Sequence, residues 1–361
     1  MSHAYQGSNS STHYLNQETK SGFNEKMSAS GVFKTVDGKT IEIRDVWASN
    51  LDQEMEIIRE LLEKYHFIAM DTEFPGVVAR PLGDVADMQY QTLRCNVDML
   101  KLIQLGITLT DGEGNLVEGC TCWQFNFKFS LSDDIFAQDS IELLKTSGID
   151  FEKFEKYGID SLYFGEVMMM SGLVLNDDIK WISFHSKYDF AYLLKTLTCT
   201  ELPMDETAFV ELLSIYFPCI YDIKYMMTAT ENMHGGLSSL AESLQIDRIG
   251  PMHQAGSDSL LTAQSFFSLI KKHFNGVCDD SRFKGELYGV GSNHTKYKTK
   301  YPAGTAPNGN GGGNNGFVNG GVTVNQHPQL QFSSAVHYPA SLQMNFTQSP
   351  APATFGYEEG Y

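Results

Sequence analysis

The chain has 361 residues, is 42% hydrophobic and 12% aromatic, and carries a net charge of −18; this is material for one large domain or two small ones with a sizeable core. The acidic excess is concentrated in residues 41–285, which hold 19 basic and 38 acidic side chains. That excludes coating of nucleic acid by a basic surface, which works by displacing counterions. It leaves room for a short nucleic-acid end held through divalent cations, which reverse the local sign of a carboxylate cluster.

Residues 1–40 are Ser/Asn/Gly-rich without sustained periodicity, so a disordered extension is expected there. Its first twenty residues lack the apolar stretch of a signal peptide, and the longest apolar run, Val167 to Met170 with Leu173 to Leu175 after it, is far too short to span a bilayer. Of six cysteines only Cys120 and Cys122 are neighbours, a poor zinc-ligand set. Reduced thiols in a soluble cytosolic or nuclear protein are the expectation.

Residues 50–65 are predicted to form a helix, with Leu51, Met55, Ile58, Leu61, Leu62 and Tyr65 on one face and Asn50 with Gln53 as a capping box. A strand over 67–73 follows and is ended by Pro75 and Gly76. Strands over 102–109 and 123–129 are joined by the turn residues Asp111, Gly112, Glu113 and Gly114. Helices dominate 139–172, with Gly148, Gly158 and Gly172 as stops. A strand over 181–185 leads into a helix over 188–197, and helices are predicted over 205–216, 237–244 and 256–274. A hairpin followed by strands alternating with helices gives an α/β class, a mixed sheet covered by helices. Between Gly304 and Gly321, eight glycines and five asparagines fall within eighteen residues, a run that cannot offset its ordering entropy by burial. The Gln/Ser/Pro-rich remainder is expected to be an inert tail.

The chemistry concentrates at three places. Asp71 and Glu73 end the strand FIAMDTEF and, two residues apart, share a face. Two acids side by side on an apolar strand repel and are costly to bury without a cation; a divalent metal with oxygen ligands suits them, and a solvated strand end paired with Lys or Arg is the alternative. Asp189 lies just after the next strand, in the first turn of a helix, where an Asp can also serve only as a dipole partner worth about 0.3–1 kcal/mol; Ser186 stands where it could cap. His253 precedes Gly256, Ser257 and Asp258 at the start of the last long helix, with Ser257 as a possible cap and His253 either a structural histidine or a base. In this order the elements form the pattern of the DEDD exonucleases in the branch that uses histidine. Four carboxylates can hold two divalent ions ~3.5–4 Å apart around one phosphate, and a near-neutral histidine can take the proton of the attacking water.

The stretches AMDTEFPGVVARPLG (69–83), YQTLRCNVDMLKLIQLGITL (90–109), TCWQFNFKF (121–129), WISFHSKYDFAYLLK (181–195) and RIGPMHQAGSDSLLT (248–262) closely resemble the Caf/Pop deadenylases, the poly(A)-specific ribonuclease subunits of the CCR–NOT complex. The resemblance covers nearly all of 41–291, taken as the exonuclease domain, with 292–361 as a disordered tail. It implies an RNase-H-like (RNase-D-type) mixed sheet, Asp71, Glu73, Asp189 and Asp258 as metal ligands, and His253 as general base. It further implies Mg²⁺ or Mn²⁺ dependence and shortening of mRNA poly(A) tails to 5′-AMP. Docking on the large scaffold subunit, pairing with the second deadenylase, and residence in cytoplasm (including mRNA-decay granules) and nucleus follow in the same way. A scaffold or adaptor that kept the fold, and an exonuclease trimming other RNA 3′ ends, are the competing readings. One departure is the segment 83–90 (GDVADMQY), slightly shorter than the family suggests. Phe74 is a candidate for stacking on a base, worth ~1–3 kcal/mol, and equally a core residue. Asp222 reads as a helix N-cap.

Overall fold

The computed structural model describes residues 31–34, 38, 40–82, 87–119, 122–231, 233–290, 330–332 and 336–337. Residues 1–30, the centre of the segment 83–90 (83–86) and the Gly/Asn-rich run lie outside the described residues.

The chain opens with strands β1 (Gly31–Lys34) and β2 (Thr40–Val46), helix α1 (Leu51–Leu61), strands β3 (Phe67–Glu73) and β4 (Ala79–Pro81), and helix α2 (Met88–Met99). Strands β5 (Gln104–Thr110), β6 (Cys122–Asn126) and β7 (Phe136–Ala137) come next, followed by helices α3 (Gln138–Thr146), α4 (Phe151–Tyr157) and α5 (Ser161–Met169). Then come β8 (Lys180–Ser183), α6 (Lys187–Thr198), α7 (Glu206–Tyr216), β9 (Ile220–Asp222) and α8 (Ile223–Met227). Helices α9 (Leu237–Leu244), α10 (Ala255–His273) and α11 (Asp280–Phe283) follow, and strands β10 (Leu330–Phe332) and β11 (Val336–His337) lie in the tail.

Seven strands form one sheet in the order β1-β2-β6-β5-β3-β8-β9. The β2–β6, β3–β8 and β8–β9 pairs are parallel, and the β1–β2, β5–β6 and β3–β5 pairs antiparallel; this is the mixed sheet expected. Strand alternation sorts side chains onto two faces. Ile68 and Met70 of β3, with Leu105, Ile107 and Leu109 of β5, join a large core cluster with α1, α2, α5, α6 and α7. Ala69 and Ile182 face a second cluster built with α8, α9 and α10. Toward α10, β5 presents Gln104, Gly106, Thr108 and Thr110, all buried, and α10 meets them with Ala255 and Ser259, also buried. Small residues on both sides let helix and strand approach closely. An added Cβ on Gly106 would lie 1.8 Å from the Ala255 carbonyl oxygen, so only glycine fits.

Several local expectations give way. The sheet begins within the presumed extension, because Gly31 pairs with Ile43. Helix α2 has no counterpart in the sequence-based prediction: its buried residues include Arg94 and Asn96, which break the apolar period. Asn50 and Ser186 hold the N-cap positions of α1 and α6 but make no side-chain capping bond, and Ser257 is not a cap, because these side chains have other partners. Asn50 Oδ1 accepts from Trp47 N at 2.8 Å, the Ser186 hydroxyl contacts Ser183 Oγ at 2.5 Å, and Ser257, inside α10, donates to the Ile249 carbonyl at 2.8 Å. The tail, read as inert, contributes β10 and β11, which pair with β4 and β7.

Gly106→Ala is expected to cost ~3 kcal/mol or more by overpacking, lowering Tm by about 5–10 °C for a domain of this size. A thermal melt unchanged within a degree would contradict the close approach.

Candidate active site

In β3, Asp71 and Glu73 continue the face of Ala69 and therefore point toward α10. Register sets Asp71 opposite Gly106 and Glu73 opposite Gln104. The first turn of α10 lies across these positions and contributes Asp258. Carboxylate oxygens of Asp71, Glu73 and Asp258 lie within 4.8 Å of one another.

A network of buried amides seats the start of α10. Gln104 Oε1 accepts from Ala255 N at 3.3 Å and Gln124 Oε1 from Gly256 N at 3.0 Å, satisfying two of the amides that a helix start leaves without intrahelical partners. Gln104 Nε2 donates to Asn126 Oδ1 at 2.8 Å and Gln254 Oε1 at 3.2 Å. Gln124 Nε2 and Asn126 Nδ2 both donate to Asp45 Oδ1, at 3.0 and 3.1 Å. Sequence reasoning missed all of these residues. The available signal was the polar alternation of β5, with Gln104, Gly106, Thr108 and Thr110 between leucines and isoleucine.

The other two expected residues are tied to this frame. Asp189, in the first turn of α6, accepts from Thr72 N at 3.0 Å and Thr72 Oγ1 at 2.8 Å, which fastens it to β3 between the two acids. Asp258 accepts from Arg248 Nη1 at 2.6 Å through one oxygen and from His253 N at 2.9 Å through the other. His253 itself is half-buried and has a left-handed backbone, φ 60°. The structure thus brings all five residues to one end of β3, with Asp189 flanking the close trio.

The electrostatics are strained. Burial pushes Asp71 well above the usual carboxylate range, and the charges of Asp258, Asp189 and Glu73 push it further while Arg248 opposes them. Glu73 is raised for the same reasons: burial first, then Asp258 and Asp189. Burial raises Asp189 to about 6 against the lowering effect of the Thr72 hydrogen bonds. Hard oxygen donors this close, repelling one another, are a fitting donor set for Mg²⁺ or Mn²⁺.

Phe74 is half-buried and stacks on Tyr188 with ring centroids 5.2 Å apart, packed against the core. Asp222 caps α8 as expected, accepting from Lys224 N at 2.9 Å, and also holds His185 N at 2.8 Å and Tyr288 N at 2.9 Å. Those three bonds account for it as a structural acid.

Residues 46–166 and 169–266 match the family described as CAF1 family ribonuclease. The chain belongs to this family. Over 254 residues it is 56% identical to Poly(A) ribonuclease pop2 of Schizosaccharomyces pombe, covering 69% of this chain and 75% of the relative. Over 261 residues it is 51% identical to probable CCR4-associated factor 1 homolog 7 of Arabidopsis thaliana, covering 70% and 94%. The solved structure of S. pombe Pop2p in its Mg²⁺- and Mn²⁺-bound form aligns with a TM-score of 0.67 at 53% identity, over 69% of this chain and 99% of that one. A structure of the yeast NOT1 MIF4G domain co-crystallised with CAF1 aligns with a TM-score of 0.59 at 35% identity, over 68% and 96%. This CAF1-family chain is a ribonuclease with the mixed sheet that its sequence implied.

Acids raised in the fold hold more protons folded than unfolded, so their contribution to stability falls as pH rises from the unfolded value through the folded one. For Asp189 that window runs from 3.8 to about 6. Metal-free protein should therefore lose more Tm between pH 5 and pH 8 than the Asp71→Asn, Glu73→Gln variant does. Mn²⁺ should raise the wild-type Tm more at pH 8 than at pH 5, because the cation replaces protons. Equal pH slopes for the two proteins would refute the electrostatic account.

Proposed function

We propose that the chain is a 3′-5′ exoribonuclease that shortens mRNA poly(A) tails and releases 5′-AMP, as a catalytic subunit of the CCR–NOT complex. The observation that carries this reading is the convergence of Asp71, Glu73 and Asp258, flanked by Asp189, in a member of the CAF1 ribonuclease family. The S. pombe relative is a poly(A) ribonuclease, which supports the substrate.

Two divalent cations supply charge neutralisation at the scissile phosphate and a more acidic attacking water. Asp71, Glu73 and Asp258 present the oxygens that hold them, and Asp189 completes the set from a position fixed by Thr72. His253 takes the proton as the water oxygen bonds to phosphorus. The bond from phosphorus to the 3′ oxygen of the preceding nucleotide breaks, and that oxygen takes up a proton from solvent, leaving a new 3′-hydroxyl on the shortened RNA. Because Asp258 holds the backbone amide of His253, ligand and base keep a fixed relation. An acidic domain suits a short 3′ end gripped through cations better than a long strand gripped through lysines.

The co-crystal of yeast NOT1 with CAF1 supports docking on the large scaffold subunit. Pairing with the second deadenylase and residence in cytoplasm, decay granules and nucleus complete the proposal.

With 5′-labelled oligo(A) and Mg²⁺ or Mn²⁺, the wild type should produce a ladder of shortened products, and Asp71→Ala should be at least 100-fold slower. Equal shortening by Asp71→Ala would sink the nuclease reading, and oligo(U) or oligo(C) degraded as fast as oligo(A) would sink the poly(A) specificity. His253→Ala should lower kcat by about 10²–10⁴ with calorimetric metal affinity retained; lost affinity would contradict its role as base.

A further inference from the structure

The segment that leaves the catalytic strand after Glu73 is gripped from several sides. Asn96 of α2 is fully buried and its Oδ1 accepts from Val78 N at 2.6 Å and Ala79 N at 3.0 Å, while its Nδ2 donates to the Ala79 carbonyl at 2.7 Å. On the other side, Ala137 N donates to the Pro75 carbonyl at 2.9 Å. Gly76 fits beneath α3 only because it lacks a side chain: an added Cβ would meet Ser140 Oγ at 2.3 Å.

Strands β4 and β7 lie outside the seven-stranded sheet, and such edges carry unpaired backbone donors and acceptors that invite another strand. One short stretch of the tail covers both. Leu330, Gln331 and Phe332 pair antiparallel with Pro81, Arg80 and Ala79. Val336 and His337 pair antiparallel with Ala137 and Phe136. The His337 ring lies flat on Phe136, with centroids 4.5 Å apart and planes within 10°.

We propose that the edges of β4 and β7 form one strand-docking surface whose resident occupants are residues 330–332 and 336–337 of this same chain. The docked tail braces the loop that starts at Glu73 and Phe74. Pairings of three and two residues are too short to hold a free peptide firmly. Attachment to the domain raises the local concentration of the segment and makes the second contact intramolecular once the first has formed, so occupancy in cis is favoured over capture of a separate chain. A loop braced in advance costs less ordering when RNA arrives, so the tail acts on substrate affinity without touching the reacting atoms.

The family match ends at residue 266, well before the tail, so a chain ending at residue 303 is expected to keep its fold, which circular dichroism checks. The test compares the full chain with a Leu330→Pro, Gln331→Pro variant. Successive amides of a strand point to opposite sides, so one of the two prolines removes an amide that faces β4. Ala79 N and Ala137 N are held within the domain by Asn96 and Pro75, so the reporters are Arg80 and Phe136, which pair with Gln331 and His337: their amide hydrogen exchange should quicken at least tenfold in the variant while β3 is unchanged. A chain ending at residue 303 should show the same rapid exchange, reversed by a synthetic peptide of residues 326–340 in excess. KM for oligo(A) should rise two- to fivefold in the variant with kcat retained. Identical exchange in full chain and variant would overturn the docking, and an unchanged KM would overturn the bracing role. The KM arm rests on the deadenylase reading; if neither protein shortens oligo(A), that reading falls, while exchange still decides the docking.

Discussion

Everything at the candidate site depends on how closely one helix start approaches one strand. The backbone of Ala255 and Gly256 sits against Gly106 with no room for a Cβ, and Gly106 is the register partner of Asp71. Widening that contact by one methyl group would carry Asp258 away from the two acids of β3. The amide network of Gln104, Gln124 and Asn126 does two things at once: it satisfies the unpaired amides of the helix start and fixes its rotation on the sheet. Buried polar groups with complete partners specify a single arrangement, and the position of Asp258 follows from that arrangement.

The same closeness makes the site electrostatically expensive. Three carboxylates share a space a few ångströms wide, a fourth stands beside them, and Arg248, bonded to Asp258, offsets part of the repulsion. Without cations, protons relieve the repulsion; with cations, the repulsion becomes binding affinity. Stability given up by the metal-free fold is thereby coupled to metal recognition. The overall negative charge is compatible with a nuclease for this reason: cations held by the acids would reverse the local sign that a phosphate meets.

Much of this was legible from the residues. Asp71 and Glu73 share one face of an apolar strand, which a solvated strand end would also explain; Asp189, His253 and Asp258 following in order are what make the pair read as a metal site. His253 and Asp258 stand out beside a run of small residues at a helix start, and Asp222 was identifiable as a cap. Less legible were features whose meaning depends on partners far along the chain. Gly106 in a strand could equally have marked a bulge, and Gln104, Gln124 and Asn126 resemble a solvent face until α10 covers them. Helix α2 hides because Arg94 and Asn96 are buried, with Asn96 spent on β4. Asn50 and Ser186 stand at the helix starts expected, but like Ser257 their side chains bond other partners than the helix amides. The tail strands escape notice because a three-residue pairing has no periodicity to detect.

The central claim is that the first turn of α10 completes a cation site begun by β3. Calorimetric titration of Mn²⁺ into metal-free wild type and Asp258→Asn near neutral pH tests it most directly. The account predicts saturable binding by the wild type and affinity at least tenfold weaker in the variant, with the fold intact by circular dichroism. Equal affinity in the two proteins would show that Asp258 is not part of the metal site.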